Sequence, residues 1–258
     1  FVEAPMLHWP DSMFSYMTGD AILFSNDAFG QHLATERLYN DLVDQDELYD
    51  ECVKYYANIL TPFSALVKAK IDQVLSLKLP VNMIATSHGV IWRDNPTQIV
   101  GKYLEWSQDY KEDRVTILYD TMWDGTRALA EALARGVSDA SPSTTVVAHC
   151  LSKFDKNDAL TDVFRSKALL LGSPTINKGI LTAVAGTLEE IKGLKFKGKK
   201  AAAFGCYGWS GESVKLIAEG LKEAGFELVD EGYKALWNPD ADALKAAYEY
   251  GRAFAAKL

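Results

Sequence analysis

Over residues 111–258, short apolar runs alternate with amphipathic runs, and this alternation constrains the fold more than any other feature of the chain. The intervening runs have helical spacing, clearest at 212–224, where Val214, Ile217 and Leu221 recur at intervals of three and four. Gly225 then follows as a residue that ends a helix. The apolar runs predict strands at 115–119, 145–148, 168–172, 201–205 and, more weakly, 226–229. Continuous apolar strands alternating with helices predict an α/β fold, a doubly wound parallel sheet of five strands with helices on both faces.

Three loops at the predicted carboxyl ends of strands differ in composition from ordinary turns. They are TMWDGT at 121–126, SPTIN at 173–177 and GCYGWSG at 205–211. Ligands of such sheets bind beyond the carboxyl ends of the strands. Hydroxyl-rich loops that lead into a helix bind phosphate, and glycine with aromatic side chains suits a flat ring system. Since serine, threonine and glycine are common in turns, one loop would be weak evidence, but three together predict a ligand site.

The first part of the chain follows a different pattern and predicts a separate domain. A polar stretch at 107–114 precedes the first predicted strand of the sheet, which divides the chain into domains at 1–110 and 111–258. In the first domain, strands are predicted at 21–24 and 81–86, and helices at about 47–58 and 62–77. These elements are too few to make a complete domain.

Three of the four histidines fall at or beside predicted strand ends in this first domain, together with an aspartate. They are His8 in LHWPDSM, Asp27 and His32 in SNDAFGQH, and His88 in TSHG. Imidazole with carboxylate suits iron, manganese or zinc. Any one of these histidines alone is more simply explained as a hydrogen-bonded structural residue, and His149, on a predicted strand, is interpreted that way.

The three loops resemble the FMN-contacting loops in the flavodoxin domain of flavodiiron proteins. By this resemblance the first loop holds the FMN phosphate, the second flanks the ribityl chain and the ring, and the third lies against the isoalloxazine. The implied contacts are Thr121, Met122, Trp123, Asp124, Gly125, Thr126, Ser173, Pro174, Thr175, Ile176, Asn177, Gly205, Tyr207, Gly208, Trp209 and Ser210. A carboxylate facing a dianionic phosphate would be repelled, so Asp124 is expected to point to solvent.

The third loop also allows an interpretation as a nicotinamide-binding glycine loop. Gly205, Gly208 and Gly211 follow a predicted strand and precede a helix, as such a loop requires. Their spacing is G-x-x-G-x-x-G rather than G-x-G-x-x-G, and the strand is the fourth of the sheet rather than the first. FMN is therefore favoured over a nicotinamide.

The histidine segments resemble the metal-binding segments in the second half of the metallo-β-lactamase-like domain of the same proteins. The resemblance implies that His8 and His88 are iron ligands and that Asp27 bridges two irons. His32 is implied only as a proton or hydrogen-bond donor beside the diiron pocket, and Asp11 matches the motif without being a family ligand. The family's remaining ligands come from an H-x-E-x-D-H segment, which these 258 residues do not contain.

The resemblance implies part of a metallo-β-lactamase-like αββα domain at 1–110 and a whole flavodoxin-like domain at 111–258. It implies an oxidoreductase that reduces O2 to water or NO to N2O at two irons, with electrons relayed through FMN. A second chain carrying the first half of the diiron domain is expected, and without it the enzyme would not work. Rubredoxin or another low-potential donor would supply electrons, and the family forms head-to-tail homodimers.

Composition disfavours several other classes of function. The net charge of −8 gives no basic surface for nucleic acid or anionic lipid, and no apolar run approaches the roughly 20 residues of a membrane span. Cys52, Cys150 and Cys206 form no C-x-x-C pair, which predicts a reduced, cytoplasmic chain. Three alternatives remain: a flavodoxin-like electron carrier without metal, a zinc hydrolase of the lactamase-like fold and a flavin-binding regulatory module. The flavin loops disfavour the hydrolase, and the histidine segments disfavour the carrier.

Overall fold

The structure is a computed structural model that describes every residue from Phe1 to Leu258. Its internal contacts separate two units, Phe1–Tyr110 and Lys111–Leu258. Each unit is built on one sheet. None of the helices is both long and apolar enough to cross a membrane.

The sheet of the first unit has four strands in the order β1-β2-β3-β4. Its strands are β1 (Val2–Glu3), β2 (Met13–Met17), β3 (Ile22–Asn26) and, after two helices, β4 (Met83–Thr86). The pairs β1–β2 and β2–β3 are antiparallel, whereas β3–β4 is parallel. The sequence predicted β3 and β4 to within two residues but not β2, because two of that strand's five residues are exposed and its apolar run is broken by serine.

Three helices accompany this sheet: α1 (Gln45–Tyr55), α2 (Ser64–Ser76) and α3 (Gln98–Trp106). Asp44 caps α1, since its side chain accepts a hydrogen bond from the Glu47 backbone N–H. From α1 the chain passes through a π-helical turn and a short 3-10 turn into α2. The core between these elements is aromatic and includes the fully buried side chains of Tyr56, Trp92 and Tyr103.

One face of the β2–β3 ribbon is uncovered. Phe14 and Leu23 point to the core and are buried, whereas Met13, Met17 and Phe24 on the opposite face are 47%, 40% and 43% exposed. Side chains alternate between the two faces of a strand, so these three apolar residues form one patch. A contiguous apolar patch on a sheet is typical of a surface that another element covers.

The second unit holds a parallel sheet whose main path is β10-β8-β7-β5-β6. Its strands are β5 (Glu112–Tyr119), β6 (Thr145–Cys150), β7 (Ser166–Gly172), β8 (Lys200–Tyr207), β9 (Glu227–Leu228) and β10 (Tyr233–Leu236). Read in sequence order along this path, the strands have the 2-1-3-4-5 arrangement of the flavodoxin-like fold. The predicted doubly wound parallel sheet is therefore confirmed.

Five helices cover this sheet: α4 (Gly125–Ala140), α5 (Lys156–Arg165), α6 (Thr182–Leu194), α7 (Glu212–Glu223) and α8 (Ala241–Ala255). Helices α4 and α8 pack against each other, and α6 packs against both α5 and α7. Gly225 follows α7 with φ of +92°, so the predicted end of this helix is confirmed.

The edge of the sheet differs from the prediction of a single strand at 226–229. Only Glu227–Leu228 pair there, with the start of β8, and the chain then leaves the sheet and returns as β10, which pairs with the end of β8. The sheet thus has six strands, five of them on the main path. The sequence did not predict β10 because only Ala235 is buried in this edge strand, so it has no continuous apolar run.

Glycines allow α4 and α8 to cross at close range. A Cβ atom on Gly136 would lie 2.1 Å from the carbonyl oxygen of Tyr248, and one on Gly251 would lie 2.4 Å from that of Leu133. Any side chain at either position would push the two helices apart.

Candidate functional site

A cavity of about 500 Å³ opens at the carboxyl ends of the parallel strands in the second unit, a size typical of small-molecule sites. Four loops contribute its walls, and no charged residue is among them. The lining residues are Thr121, Met122, Trp123, Gly125, Thr126, Pro174, Thr175, Cys206, Tyr207, Gly208, Trp209, Trp237 and Asn238. Parallel strands end at the same edge of the sheet, and this brings loops together that are distant in sequence.

The first loop presents unsatisfied donors to the cavity. The Oγ1 atoms of Thr121 and Thr126 are buried and have no hydrogen-bond partner. Burial raises the pKa of the Cys206 thiol and the nearby Thr126 hydroxyl opposes that shift, but no atom of the chain has hydrogen-bond geometry to Thr126 Oγ1. A buried hydroxyl without a partner is costly, so an acceptor-rich group such as a phosphate fits between these two threonines.

Helix α4 begins inside this loop. Its cap residue, Asp124, has left-handed backbone dihedrals and makes no side-chain cap bond, which leaves N–H groups of the first turn open. The Asp124 side chain is 60% exposed and its Oδ1 lies 3.4 Å from Arg127 Nη1. The Asp124 carboxylate is thus absent from the cavity lining, as expected from its repulsion by a phosphate. The N-terminus of α4 can therefore face an anion.

A buried aspartate anchors the start of the same loop. Asp120 Oδ1 accepts hydrogen bonds from the Thr121 backbone N–H at 2.9 Å and from Ser152 Oγ at 2.8 Å. These bonds connect the ends of β5 and β6. The loop is therefore held in place by the chain itself.

The second loop uses most of its polar groups internally. Ser173 Oγ accepts from the Leu181 backbone N–H at 3.0 Å, and Thr175 Oγ1 donates to Ser213 Oγ at 2.9 Å. Asn177 lies in a tight turn with φ of +48°. Of the residues predicted in this loop, the cavity lining includes Pro174 and Thr175 but not Ser173, Ile176 or Asn177.

The third loop supplies the aromatic wall. Tyr207, Gly208 and Trp209 line the cavity, whereas Gly205 and Ser210 do not. Gly205 is required for packing, because a Cβ atom there would lie 1.9 Å from the carbonyl oxygen of Ser173. The Trp209 ring is 91% exposed, so the cavity has an open aromatic rim that suits the edge of a flat ring.

Cys206, Trp237 and Asn238 line the cavity without having been predicted. Cys206 lies inside the third loop, but no motif in the sequence marks it as a ligand contact. The other two follow β10, the strand that the sequence did not reveal. Because ligands bind beyond the carboxyl ends of parallel strands, a sequence signal for β10 would have implicated Trp237 and Asn238 as well.

In the first unit, an aspartate lies between two histidines. His8 Nε2 is 3.5 Å from Asp27 Oδ2, and His88 Nε2 is 3.5 Å from Asp27 Oδ1. Each carboxylate oxygen therefore faces a different imidazole. These three predicted metal ligands are brought together from the loops before β2, after β3 and after β4.

No group of three or more histidine, cysteine, aspartate or glutamate side chains in the chain is placed to hold a metal ion. The two histidines approach the aspartate separately, with side chains that remain 22% and 34% exposed for His8 and His88.

His32 and an unpredicted tyrosine lie beside these residues. The His32 ring centroid is 4.9 Å from that of His88 and 5.0 Å from that of Tyr55. Tyr55 Oη lies 3.4 Å from His88 Nε2, and burial, with the charge of Asp27, raises the Tyr55 pKa. Tyr55 lies at the end of α1 in a sequence without any motif, so only the packing of that helix brings it to the histidines.

Two other residues singled out from the sequence lie elsewhere. Asp11 lines a separate cavity with Ser15 and Asn26. His149 Nε2 lies 2.9 Å from Asp162 Oδ2 and its ring stacks on Phe154 with centroids 3.7 Å apart. His149 is thus held by a hydrogen bond and ring stacking within the second unit.

Comparison with known proteins places the second unit in a family. Residues 117–251 match the family model described as Flavodoxin, which is more than half of the chain. The chain belongs to the flavodoxin family. This family membership covers the second unit and the cavity just described.

Over its whole length, this flavodoxin-family chain is similar to flavodiiron proteins. It is 61% identical to the anaerobic nitric oxide reductase flavorubredoxin of Aliivibrio fischeri, over 98% of this chain and 51% of the relative. The corresponding protein of Klebsiella pneumoniae is 57% identical, over 98% and 52%. The chain therefore spans about half the length of the curated relatives it matches.

Solved structures give the same result. The rubredoxin oxygen:oxidoreductase of Desulfovibrio gigas superposes with a TM-score of 0.94 at 35% identity, over 99% of this chain and 64% of that one. The flavodiiron protein of Giardia intestinalis superposes with a TM-score of 0.93 at 33% identity, over 99% and 63%. The resemblance to flavodiiron proteins predicted from the loops is confirmed, as is the predicted fold class.

Proposed function

We propose that this chain is the C-terminal part of a flavodiiron oxidoreductase that reduces NO to N2O or O2 to water, with electrons that pass through FMN. The observation that carries the proposal is Asp27, whose two carboxylate oxygens each face a different imidazole. Two cation positions with one carboxylate between them are what a two-metal centre requires. The printed names of the similar proteins, a nitric oxide reductase and an oxygen oxidoreductase, support the same reaction classes.

FMN is the flavin that the cavity of the second unit would hold. The orphaned hydroxyls of Thr121 and Thr126, with the open start of α4, fit a phosphate, and Tyr207, Gly208 and Trp209 form a wall for the ring. When bound, a flavin takes up electrons from a donor and releases them singly. The chain's own residues would bind and orient it: the hydroxyls of Thr121 and Thr126 would donate to the phosphate, and the aromatic residues of the third loop would form a wall beside the ring.

His8, Asp27 and His88 would supply some of the ligands of two irons. Imidazole and carboxylate donors suit iron, and adjacent irons supply the electrons and coordination positions for a diatomic gas. Asp27 fixes the spacing of the two histidines and supplies negative charge. The rings of His32 and Tyr55 pack against that of His88, with centroids 4.9 Å and 5.2 Å away, and would help to orient it.

A complementary segment carrying the missing ligands would complete this centre. Three ligands are too few for two metals, and no group of three or more such side chains in the chain is placed to hold a metal by itself. The exposed patch of Met13, Met17 and Phe24 offers the apolar surface against which such a segment would pack. We propose that it is the first half of the lactamase-like domain, held noncovalently by this shared core when it is a separate polypeptide.

The proposed partners and cellular location are based on the same family relationship. We propose rubredoxin or another low-potential donor as the source of electrons, and a head-to-tail homodimer as the working assembly. The three cysteines are unpaired, which supports the proposal of a reducing, cytoplasmic environment.

Metal analysis and a visible absorption spectrum of the purified protein, with and without the complementary half, test this function. We expect one flavin per chain in both cases and two irons only with the complementary half. Zinc without flavin would indicate a hydrolase, and flavin without iron in the completed protein would indicate an electron carrier. Either result would contradict the proposal.

A further inference from the structure

A fourth loop, outside the three that the resemblance assigns to FMN, forms part of the cavity. The loop follows β10, and its first residue, Trp237, donates its backbone N–H to the Tyr207 carbonyl oxygen at 2.7 Å. At the other end, Asp240 caps α8 by accepting from the Ala243 backbone N–H at 2.9 Å. Both ends are thus fixed, so Trp237 and Asn238 are held at the cavity by the fold.

Asn238 lies next to the start of α4, where the phosphate-binding hydroxyls are. A Cβ atom built on Gly125 would be 3.5 Å from Asn238 Oδ1 and 3.3 Å from Pro239 Cδ. The side chain is exposed and its amide makes no hydrogen bond to another residue of the chain. Because the last torsion of asparagine is broad and its O and N are nearly equivalent in shape, the amide can turn its NH2 group to this end of the cavity.

The charge of the cavity makes such a donor important. No lysine or arginine lines it, and Arg127, at the same helix terminus, lies by Asp124 and Glu131. A dianionic phosphate must therefore be held by neutral donors, and hydrogen bonds to a charged group are the stronger ones. Asn238, in the loop after β10, adds a side-chain donor to those of the first loop.

Trp237 occupies the other part of the cavity. A Cβ atom on Gly208 would be 3.3 Å from Trp237 Cζ3, so the glycine leaves room for the indole. The Trp237 and Trp209 ring centroids are 5.5 Å apart and the rings are inclined at 59°. Together the two indoles form a corner of the aromatic wall.

We propose that the loop after β10 is a fourth FMN-contacting segment, in which Asn238 donates a hydrogen bond to the phosphate and Trp237 contacts the ring. This proposal rests on FMN being the ligand of the cavity. Asn238 is a binding residue that distinguishes the phosphorylated flavin from riboflavin, whereas Trp237 contributes equally to both.

Flavin-fluorescence titration of the whole chain with FMN and with riboflavin tests the assignment. We expect Asn238→Asp, which keeps the shape of the side chain and adds a charge, to weaken FMN binding by at least about tenfold and to change riboflavin binding by less than about twofold. Asn238→Ala should weaken FMN binding in the same selective way but by less. Trp237→Ala should weaken both flavins by the same factor.

Asn95→Asp is the matched control, since it makes the same change of net charge in the first unit. It should leave both affinities at the wild-type value. Wild-type FMN affinity in Asn238→Asp, or equal loss of both flavins, would overturn the phosphate contact while leaving FMN as the ligand. Failure of the unchanged chain to bind FMN would instead overturn the proposed function and this assignment with it.

Discussion

Single hydroxyl and carboxyl groups determine the chemistry of the two sites, because each is either paired within the chain or left open to a ligand. The hydroxyls of Ser173 and Thr175 make hydrogen bonds within the chain, whereas those of Thr121 and Thr126 have no partner. The same contrast separates Asp120, which anchors a loop, from Asp27, which faces two imidazoles. Substitutions at the unpaired groups should therefore alter ligand binding more than stability.

Thr126→Ala should weaken FMN binding by about 1–3 kcal/mol, since it removes one hydrogen bond to a charged phosphate. The flavin-free protein should be no less stable, because the hydroxyl has no partner to lose. Thr187→Ala is a matched control: its buried hydroxyl donates to the Ala183 carbonyl oxygen at 2.9 Å, so it should lower stability and spare FMN affinity. Unchanged flavin retention in Thr126→Ala would place the phosphate elsewhere.

Asp124→Gly should tighten FMN binding and raise the melting temperature. The charge near the phosphate is removed, and glycine adopts φ of +63° without the cost that other residues bear. Asp124→Asn separates the two effects, because asparagine tolerates the left-handed backbone but has no charge. Equal affinities in these variants, both above wild type, would assign the gain to charge. A loss of affinity would show that the carboxylate has a positive role.

Asp27→Ala should deplete iron and abolish gas reduction in the completed protein while leaving the flavin content unchanged. The reason is that each carboxylate oxygen of Asp27 lies 3.5 Å from a different predicted histidine ligand. Asp11→Ala, in the neighbouring motif but lining a different cavity, should keep its iron. Iron and flavin content are measured together for each variant, and loss of both cofactors in Asp27→Ala would mean that the residue supports folding instead.

Among the elements, α4 and α8 cross closely enough for one added methyl group to disturb the contact. The two glycines at the crossing leave no space for a methyl group. The glycines of α6 are different, since Gly186 and Gly193 have no atom within 4 Å of a built Cβ.

Gly251→Ala should lower the free energy of unfolding by about 1–3 kcal/mol, as overpacking of a close contact does. Gly186→Ala should raise it by up to about 1 kcal/mol, because alanine is the better helix former and its methyl meets nothing. Urea midpoints of the two variants provide the test. A stable Gly251→Ala protein would show that α8 moves away from α4 at little cost.

For the whole molecule, the decisive feature is a sheet in the first unit with one uncovered apolar face. Its residues are Met13, Met17 and Phe24, and such a face lowers its free energy when another element covers it. The three predicted metal ligands, His8, Asp27 and His88, lie in the same unit.

Phe24→Lys should therefore weaken binding of the complementary half and lower the iron content, while FMN stays bound. Leu216→Lys, at a 40% exposed position of α7, is the control and should change neither. Intact mass of the native particle, denaturing electrophoresis and iron analysis measure the effect. After separation in urea, the chain should regain FMN on dilution and two irons only when the complementary half is added. Two irons held by this chain alone would contradict the idea.

The sequence by itself determined the second sheet and the sites at its edge to a large extent. Continuous apolar runs and helical spacing are local signals, and they indicated β5, β6, β7, β8 and α7. The parallel arrangement then implied that loops of the first, third and fourth strands would meet, because such strands end at one edge. Local patterns were sufficient here because the central strands are buried on both faces.

Only the tertiary structure decided which residues complete each site. The edge strand β10 has one buried residue, so it gave no apolar run, and Trp237 and Asn238 after it were not predicted. Tyr55 lies beside His88 although the two are 33 residues apart, and Ser173 is unavailable because the Leu181 backbone uses its hydroxyl. Such contacts join residues that are distant along the chain. Their formation depends on packing between elements, which no local spacing of residues encodes.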